Sequence, residues 1–344
     1  MKSSLQAAIR AIEFHLPERV ETALELAAEF PEWQVEKIEK RTGIRRRHIA
    51  AASECASDLA IAAARKLFDS GVCTPAEIDF ILLCTQTPDY FLPTTACVIQ
   101  DRLGIPTSAG ALDFNLGSSG FVYGLSLAQG LIEQGSARKI LLLTADTYSK
   151  LIHPADKSVR VLFGDGAAAA LVAGVEGLAE PALGPYVFGS DGRGAQNLIV
   201  PAGAMREPHS AETAEVRQDE DGNRRSRENL FMDGGEIFAF TLNSVPKLIR
   251  QLLERTGKAQ EEIDLFVFHQ PNRAMLETMR KQLKIPGERF YIYLEDCGNT
   301  VSATIPIALK AAQTDGTLKP GMLVMLVGFG VGYSWAATLV RWQG

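Results

Sequence analysis

Segments of the 344-residue chain repeat one another at an offset of about 180 residues. EIDFILLCTQTP, beginning at Glu77, is answered by EIDLFVFHQPN, beginning at Glu262, and each leads into a helical pattern closed by LGIP or LKIP. DFNLGSSGFVYGL from Asp113 takes the place of EDCGNTVSATIPIAL from Glu295, and ILLLTA from Ile140 that of LVMLVG from Leu323. An offset held through successive segments is the mark of a duplicated unit. The expectation is two halves, residues 1–175 and 176–344, related by a pseudo-twofold axis.

The apolar runs give those halves their class. Phe80 to Leu83, Ile140 to Leu143, Ala167 to Val172, Leu265 to Phe268 and Leu323 to Val327 are short and continuous, as buried parallel strands are. Helical spacing separates them over Thr94 to Leu103, Gly120 to Glu133, Phe238 to Arg255 and Thr304 to Ala312. The alternation predicts an α/β fold with helix-covered sheets. Ligands on such sheets bind beyond the strand ends, so two packed halves bring equivalent loops face to face. The candidates are the Gly117-Ser118-Ser119-Gly120 turn into a helix, His269 after its strand, and Asn299 in a Gly-Asn-Thr turn. A helix amino terminus directs free N–H groups at its neighbourhood, which suits a nucleophile or an oxyanion. Each residue also has an ordinary structural reading: Ser118 as a helix cap, His269 as a hydrogen-bonded core histidine, Asn299 as turn chemistry and Asp165 as a turn residue entering a strand.

Composition removes rival classes. Thirty-five Lys and Arg against 41 Asp and Glu leave a net charge of -6, so no global basic field attracts nucleic acid. Five cysteines without CxxC or Cys/His spacing argue against disulfides and structural zinc, and toward a reducing cytoplasm. No apolar stretch reaches the roughly 20 residues of a membrane helix, and the amino terminus reads as mature sequence. GFGVGYSW follows a strand but runs into another apparent strand, so the pyrophosphate-binding reading of its glycines fails. GSSGF only loosely matches a hydrolase elbow, and no convincing acid follows it.

Together LGSSGFVYGL, FHQPNRAML, GNTVSATIPIALKAA, LKPGMLVMLVGFGVGYSWAATLVRW, RTGIRRRHIA and FGDGAAAALV resemble the successive motifs of the β-ketoacyl-acyl-carrier-protein synthase III family, in the thiolase superfamily. The likeness runs from about Ile12 to Arg341. It implies a duplicated five-layer α-β-α-β-α fold and a decarboxylating Claisen condensation of acyl-CoA with malonyl-acyl-carrier protein. No metal or other cofactor is implied, and the homodimer is expected in the cytoplasm. Carried over by position, Ser118 falls on the nucleophilic cysteine, His269 on the catalytic histidine and Asn299 on the catalytic asparagine. The backbone N–H groups of Ser118 and Val331 fall on the first oxyanion hole. Trp33, Arg41, Lys157, Phe231 and Asn272 fall on or near substrate-binding positions, Lys157 replacing an arginine and so losing its bidentate fork. DYFLPTTACVIQDRLGIP resembles the segment that builds the family's dimer interface and reaches toward the partner's acyl pocket.

Serine at position 118 is the departure. A thiol titrates near pH 8.5 and a helix amino terminus can lower that, whereas a hydroxyl needs an adjacent base. Three readings stay open: a Cys-to-Ser variant of a condensing enzyme, a natural serine acyltransferase that works without decarboxylation, and an inactive thiolase-fold partner subunit. Arg45, Arg46 and Arg47 form a charge run suited either to CoA phosphates or to a solvated face. The polar stretch 203–229 reads as a mobile surface loop or as a lid or carrier-protein contact.

Overall fold

A computed structural model describes residues 5–344. The first half runs β1 (Gln6–His15), β2 (Val20–Thr22), α1 (Ala23–Glu29), α2 (Val35–Thr42), β3 (Arg46–His48), α3 (Ala56–Asp69), β4 (Phe80–Cys84), α4 (Thr95–Leu103), β5 (Gly110–Phe114), α5 (Gly120–Glu133), β6 (Lys139–Asp146), α6 (Lys157–Arg160) and β7 (Gly166–Val175). Next come β8 (Leu183–Ser190), β9 (Leu198–Ile199), β10 (Arg217–Gln218), β11 (Arg224–Arg225), β12 (Phe231–Met232) and α7 (Gly234–Thr256). The chain closes with β13 (Leu265–Phe268), α8 (Arg273–Gln282), β14 (Phe290–Tyr291), α9 (Thr304–Thr314), β15 (Leu323–Gly330) and β16 (Ser334–Arg341).

Two five-stranded sheets have the same plan, β1-β7-β6-β4-β5 and β8-β16-β15-β13-β14. In each, the last three strands are parallel and the first two antiparallel. Helices α3 and α4 cover the outer face of the first sheet, and α7 and α8 pack on the second. Between the sheets lie α5 and α9, which share one apolar core with strands from both. This is the five-layer α/β arrangement. Phe121, Leu125 and Ile132 of α5 and Ile305 and Leu309 of α9 are all buried there, each contributing roughly 1.5–3 kcal/mol of apolar burial. The seam therefore has little freedom to slide.

One strand departs from expectation. Ala167 to Val172 lies in β7, which is antiparallel to both β1 and β6, not parallel. Its apolar continuity reports burial on both faces, and strand direction is set elsewhere, by the connection. A parallel crossover needs a helix of useful length, and the link from β6 to β7 holds only the four-residue α6 and one 3-10 turn.

Candidate active site

The carboxyl ends of the central strands meet at a cavity of about 550 Å³, lined from both halves by Ser118, His269, Asn299 and Val331 among others. Ser118 precedes α5, whose cap is Ser119 and uses no side chain, so the capping role expected for a serine here is not taken by Ser118. The GFG segment explains how β15 comes so close. A Cβ on Gly328 would lie 2.7 Å from Ser119 Cα and 2.8 Å from the Ser118 carbonyl oxygen, and one on Gly330 would lie 3.3 Å from Ser118 Oγ. These glycines are the close-approach kind, not the phosphate-binding kind. Among the described residues the Ser118 and Val331 amides donate no backbone hydrogen bond, which leaves two N–H groups at the nucleophile position.

His269 follows β13 and is buried, with its ring edge-on to Phe329 at 5.4 Å. Burial alone pushes its pKa down to about 3, so the imidazole is neutral at ordinary pH. Its Nδ1 lies 2.8 Å from Thr304 Oγ1, and that hydroxyl also lies 3.1 Å from the Val301 carbonyl. When Thr304 donates to Nδ1, the imidazole proton sits on Nε2. No hydrogen bond joins Ser118 Oγ to His269 among the described residues. Asn299 accepts from the Val301 N–H through Oδ1 at 2.9 Å, and among the described residues its NH₂ has no partner. Its turn depends on Gly298, at φ +69, where a Cβ would meet Arg47 Cγ and the Leu162 carbonyl, both at 2.8 Å.

Arg41, Lys157 and Asn272 also line the cavity. Asn272 is committed in part, since its Oδ1 caps α8 by accepting from the Met275 N–H at 2.9 Å. Among the described lining residues Arg41 and Lys157 are the fixed charges and no carboxylate opposes them. Trp33 is not on the cavity: its ring stacks on Phe30 at 4.1 Å, inside a small core with Leu26 and Val161. Phe231 also lies off the cavity, its ring under the Arg225 guanidinium at 5.1 Å, while Met232, Ile237 and Phe238 line the wall. The arginine run is spoken for. Arg45 and Arg46 pair with Glu295 and Asp296, and Arg47 is buried against Glu21 and the carbonyls of Arg160 and Phe163.

The polar stretch 203–229 is tied down. β10 and β11 form a ribbon, and Arg225 pairs with buried Asp156 at 2.8 Å and with Asp219 at 2.8 Å. Asp156 also caps α6, the turn that carries Lys157. Replacing Arg225 by alanine would strand a buried carboxylate, and is expected to cost about 2–4 kcal/mol. The expected readout is faster limited proteolysis within 203–229 and a lower Tm; an unchanged cleavage rate would show the pair to be dispensable. Among the described residues there is no group of three or more His, Cys, Asp or Glu placed to hold a metal ion, and no helix long and apolar enough to cross a membrane.

A duplicated thiolase fold with its cavity at the seam of the two halves defines the class: an acyltransferase of the thiolase superfamily. Family models described as 3-oxoacyl-[acyl-carrier-protein (ACP)] synthase III and its C-terminal part match residues 112–192 and 253–342. The β-ketoacyl-[acyl-carrier-protein] synthase III of Caldanaerobacter subterraneus subsp. tengcongensis is 38% identical over 343 residues, covering 100% of both chains. A solved 3-oxoacyl-(acyl-carrier-protein) synthase III is 57% identical with a TM-score of 0.96, covering 98% of this chain and 100% of its own. The 3-oxoacyl-(acyl-carrier protein) synthase of Burkholderia xenovorans LB400 is 37% identical with a TM-score of 0.90, covering 98% and 94%. The chain belongs to the β-ketoacyl-[acyl-carrier-protein] synthase III family.

Proposed function

We propose that the protein joins the acyl group of an acyl-CoA to malonyl-acyl-carrier protein with loss of carbon dioxide. One observation carries this reading: Ser118, His269, Asn299 and the Val331 amide, supplied by both halves, line one largely apolar cavity. Arg41 and Lys157 stand on the same cavity as cations for the phosphates of CoA. The acyl carbonyl oxygen sits against the Ser118 and Val331 amides while the group at position 118 attacks its carbon and the CoA thiolate leaves. Malonyl-carrier protein then enters. Its carboxylate leaves as carbon dioxide, and the electron pair passes to C2 and the thioester oxygen. That oxygen accepts from Asn299 Nδ2 and His269 Nε2, and C2 attacks the acyl carbon, expelling the atom at position 118. Neutral donors suit this enolate, because they need not lose a proton to it. No metal or redox cofactor enters these steps.

Serine at position 118 favours a second reading, acyl transfer to another nucleophile without decarboxylation. A third, an inactive partner subunit, predicts no acyl adduct even after cysteine is restored. The deciding experiment incubates the protein and its Ser118→Cys form with radiolabelled acyl-CoA and malonyl-carrier protein. Condensation product from the cysteine form is expected; none from either form overturns the reading.

The working unit is a cytoplasmic homodimer. Tyr90, Phe91 and Leu92 are exposed in succession, at 60%, 79% and 82%, and β5 presents an unpaired sheet edge bearing half-exposed Leu112. Such an edge beside an apolar patch calls for cover. Leu92→Asp is expected to shift the protein from dimer to monomer in sedimentation-velocity runs at micromolar concentration; a parent that already sediments as a monomer would refute the dimer.

A further inference from the structure

Val301 is the unusual residue beside the candidate site. It is buried, β-branched, and held at φ 55, in the left-handed region that such residues avoid. Both proposed enolate donors meet the turn it opens. Its N–H donates to Asn299 Oδ1 at 2.9 Å, and Thr304, three residues on, meets His269 Nδ1 through its hydroxyl at 2.8 Å. A shift of this one turn would displace both donors together.

What holds it comes from the other half of the molecule. Asp146, the last residue of β6, is fully buried, and its Oδ2 accepts from the N–H of Ser302 at 3.2 Å and from the Ser302 hydroxyl in a shorter contact. Its Oδ1 accepts from the Gln86 N–H at 2.8 Å. Gln86 in turn accepts from Tyr148 Oη at 2.5 Å and donates to Asn115 at 3.1 Å, so the carboxyl is anchored in the first half. Burial pushes its pKa up to about 7, against the opposing pull of these hydrogen bonds. Among the described residues no cation pairs with this acid, and burying an unpaired carboxyl at the seam is costly.

We propose that Asp146 is a positioning residue: by gripping Ser302 across the seam it keeps Val301 left-handed and aligns Asn299 and His269 as one donor pair for the decarboxylating step. The proposal rests on the reading of the site given above. It separates the two half-reactions, since among the described residues the amides of Ser118 and Val331 share no hydrogen bond with Val301.

The test uses Ser302→Ala and Asp146→Asn in the Ser118→Cys protein, the first removing one hydroxyl only and so sparing the fold. Acyl-adduct formation from acyl-CoA, followed by intact-protein mass spectrometry, is expected to stay within twofold. Condensation with malonyl-carrier protein is expected to fall at least tenfold, in kcat with little change in KM. Parallel loss of both steps, or retention of both, would overturn the proposal. Should the cysteine protein fail to condense, the functional reading falls by itself, and 15N-histidine spectra decide the present one: displaced His269 imidazole signals in Ser302→Ala uphold it, unmoved signals refute it.

Discussion

Changing Ser118 to cysteine is expected to raise the rate of acyl-enzyme formation by at least ~100-fold, because at neutral pH a thiol is already a few per cent thiolate and a hydroxyl needs a base it does not have here. Among the described residues no side-chain base is hydrogen-bonded to the Ser118 hydroxyl. His269 places Nδ1 on Thr304, is held neutral by burial, and makes no hydrogen bond to Ser118 among the described residues. The rest of the position favours a nucleophile: Ser118 is buried at the entry to α5, pressed by Gly330, beside the Val331 amide. Stopped-flow or quench-flow acylation of both forms, read as adduct mass against time, measures the ratio. A serine form as fast as the cysteine form would point to natural serine chemistry and remove the condensing enzyme's Cys-to-Ser reading. No adduct on either form would leave the partner-subunit reading.

The parts of this site legible in the sequence are those that local pattern encodes. Offset repeats and apolar runs point to duplicated sheets, and α5, with its boundaries at Gly120 and Glu133, follows from its spacing. Ser118, His269, Asn299 and Val331 follow from motif order and do share a cavity. What local pattern lacks is which distant segment a side chain meets. Trp33 turns to Phe30, three residues away, and Arg47 is consumed by Glu21 and the 160–163 backbone. The charged 203–229 stretch looks unfixed in sequence because its anchor, Asp156, lies about 70 residues earlier. Asp146 is the clearest case. Nothing in KILLLTAD marks its last residue as the partner of Ser302, 156 positions on. A buried contact of that span appears only when the two halves are closed against each other.

Removing either enolate donor, by Asn299→Ala or His269→Ala, is expected to lower condensation by about 10²–10³-fold, the scale of losing one oxyanion-hole donor, while acylation changes little. The two should not add. Both meet the Val301–Thr304 turn, so the double variant is expected to lose little more than the worse single one, as groups acting as a unit do. pH separates a neutral donor from a general base. With its pKa pushed down to about 3, His269 carries no charge from pH 5 to 8, so the condensation rate should show no acid limb near pH 6.5 arising from this residue. Its cost appears in stability instead. Below about pH 6.5 an unfolded histidine takes up a proton that the buried one refuses, so stability falls as pH drops from there toward 3. The His269→Ala protein should therefore lose less of its melting temperature between pH 7 and 5 than the parent, measured in the same buffers by calorimetry. A condensation rate that follows a single titration near pH 6.5, abolished in His269→Ala, would show instead that the imidazole works as a base reached by solvent.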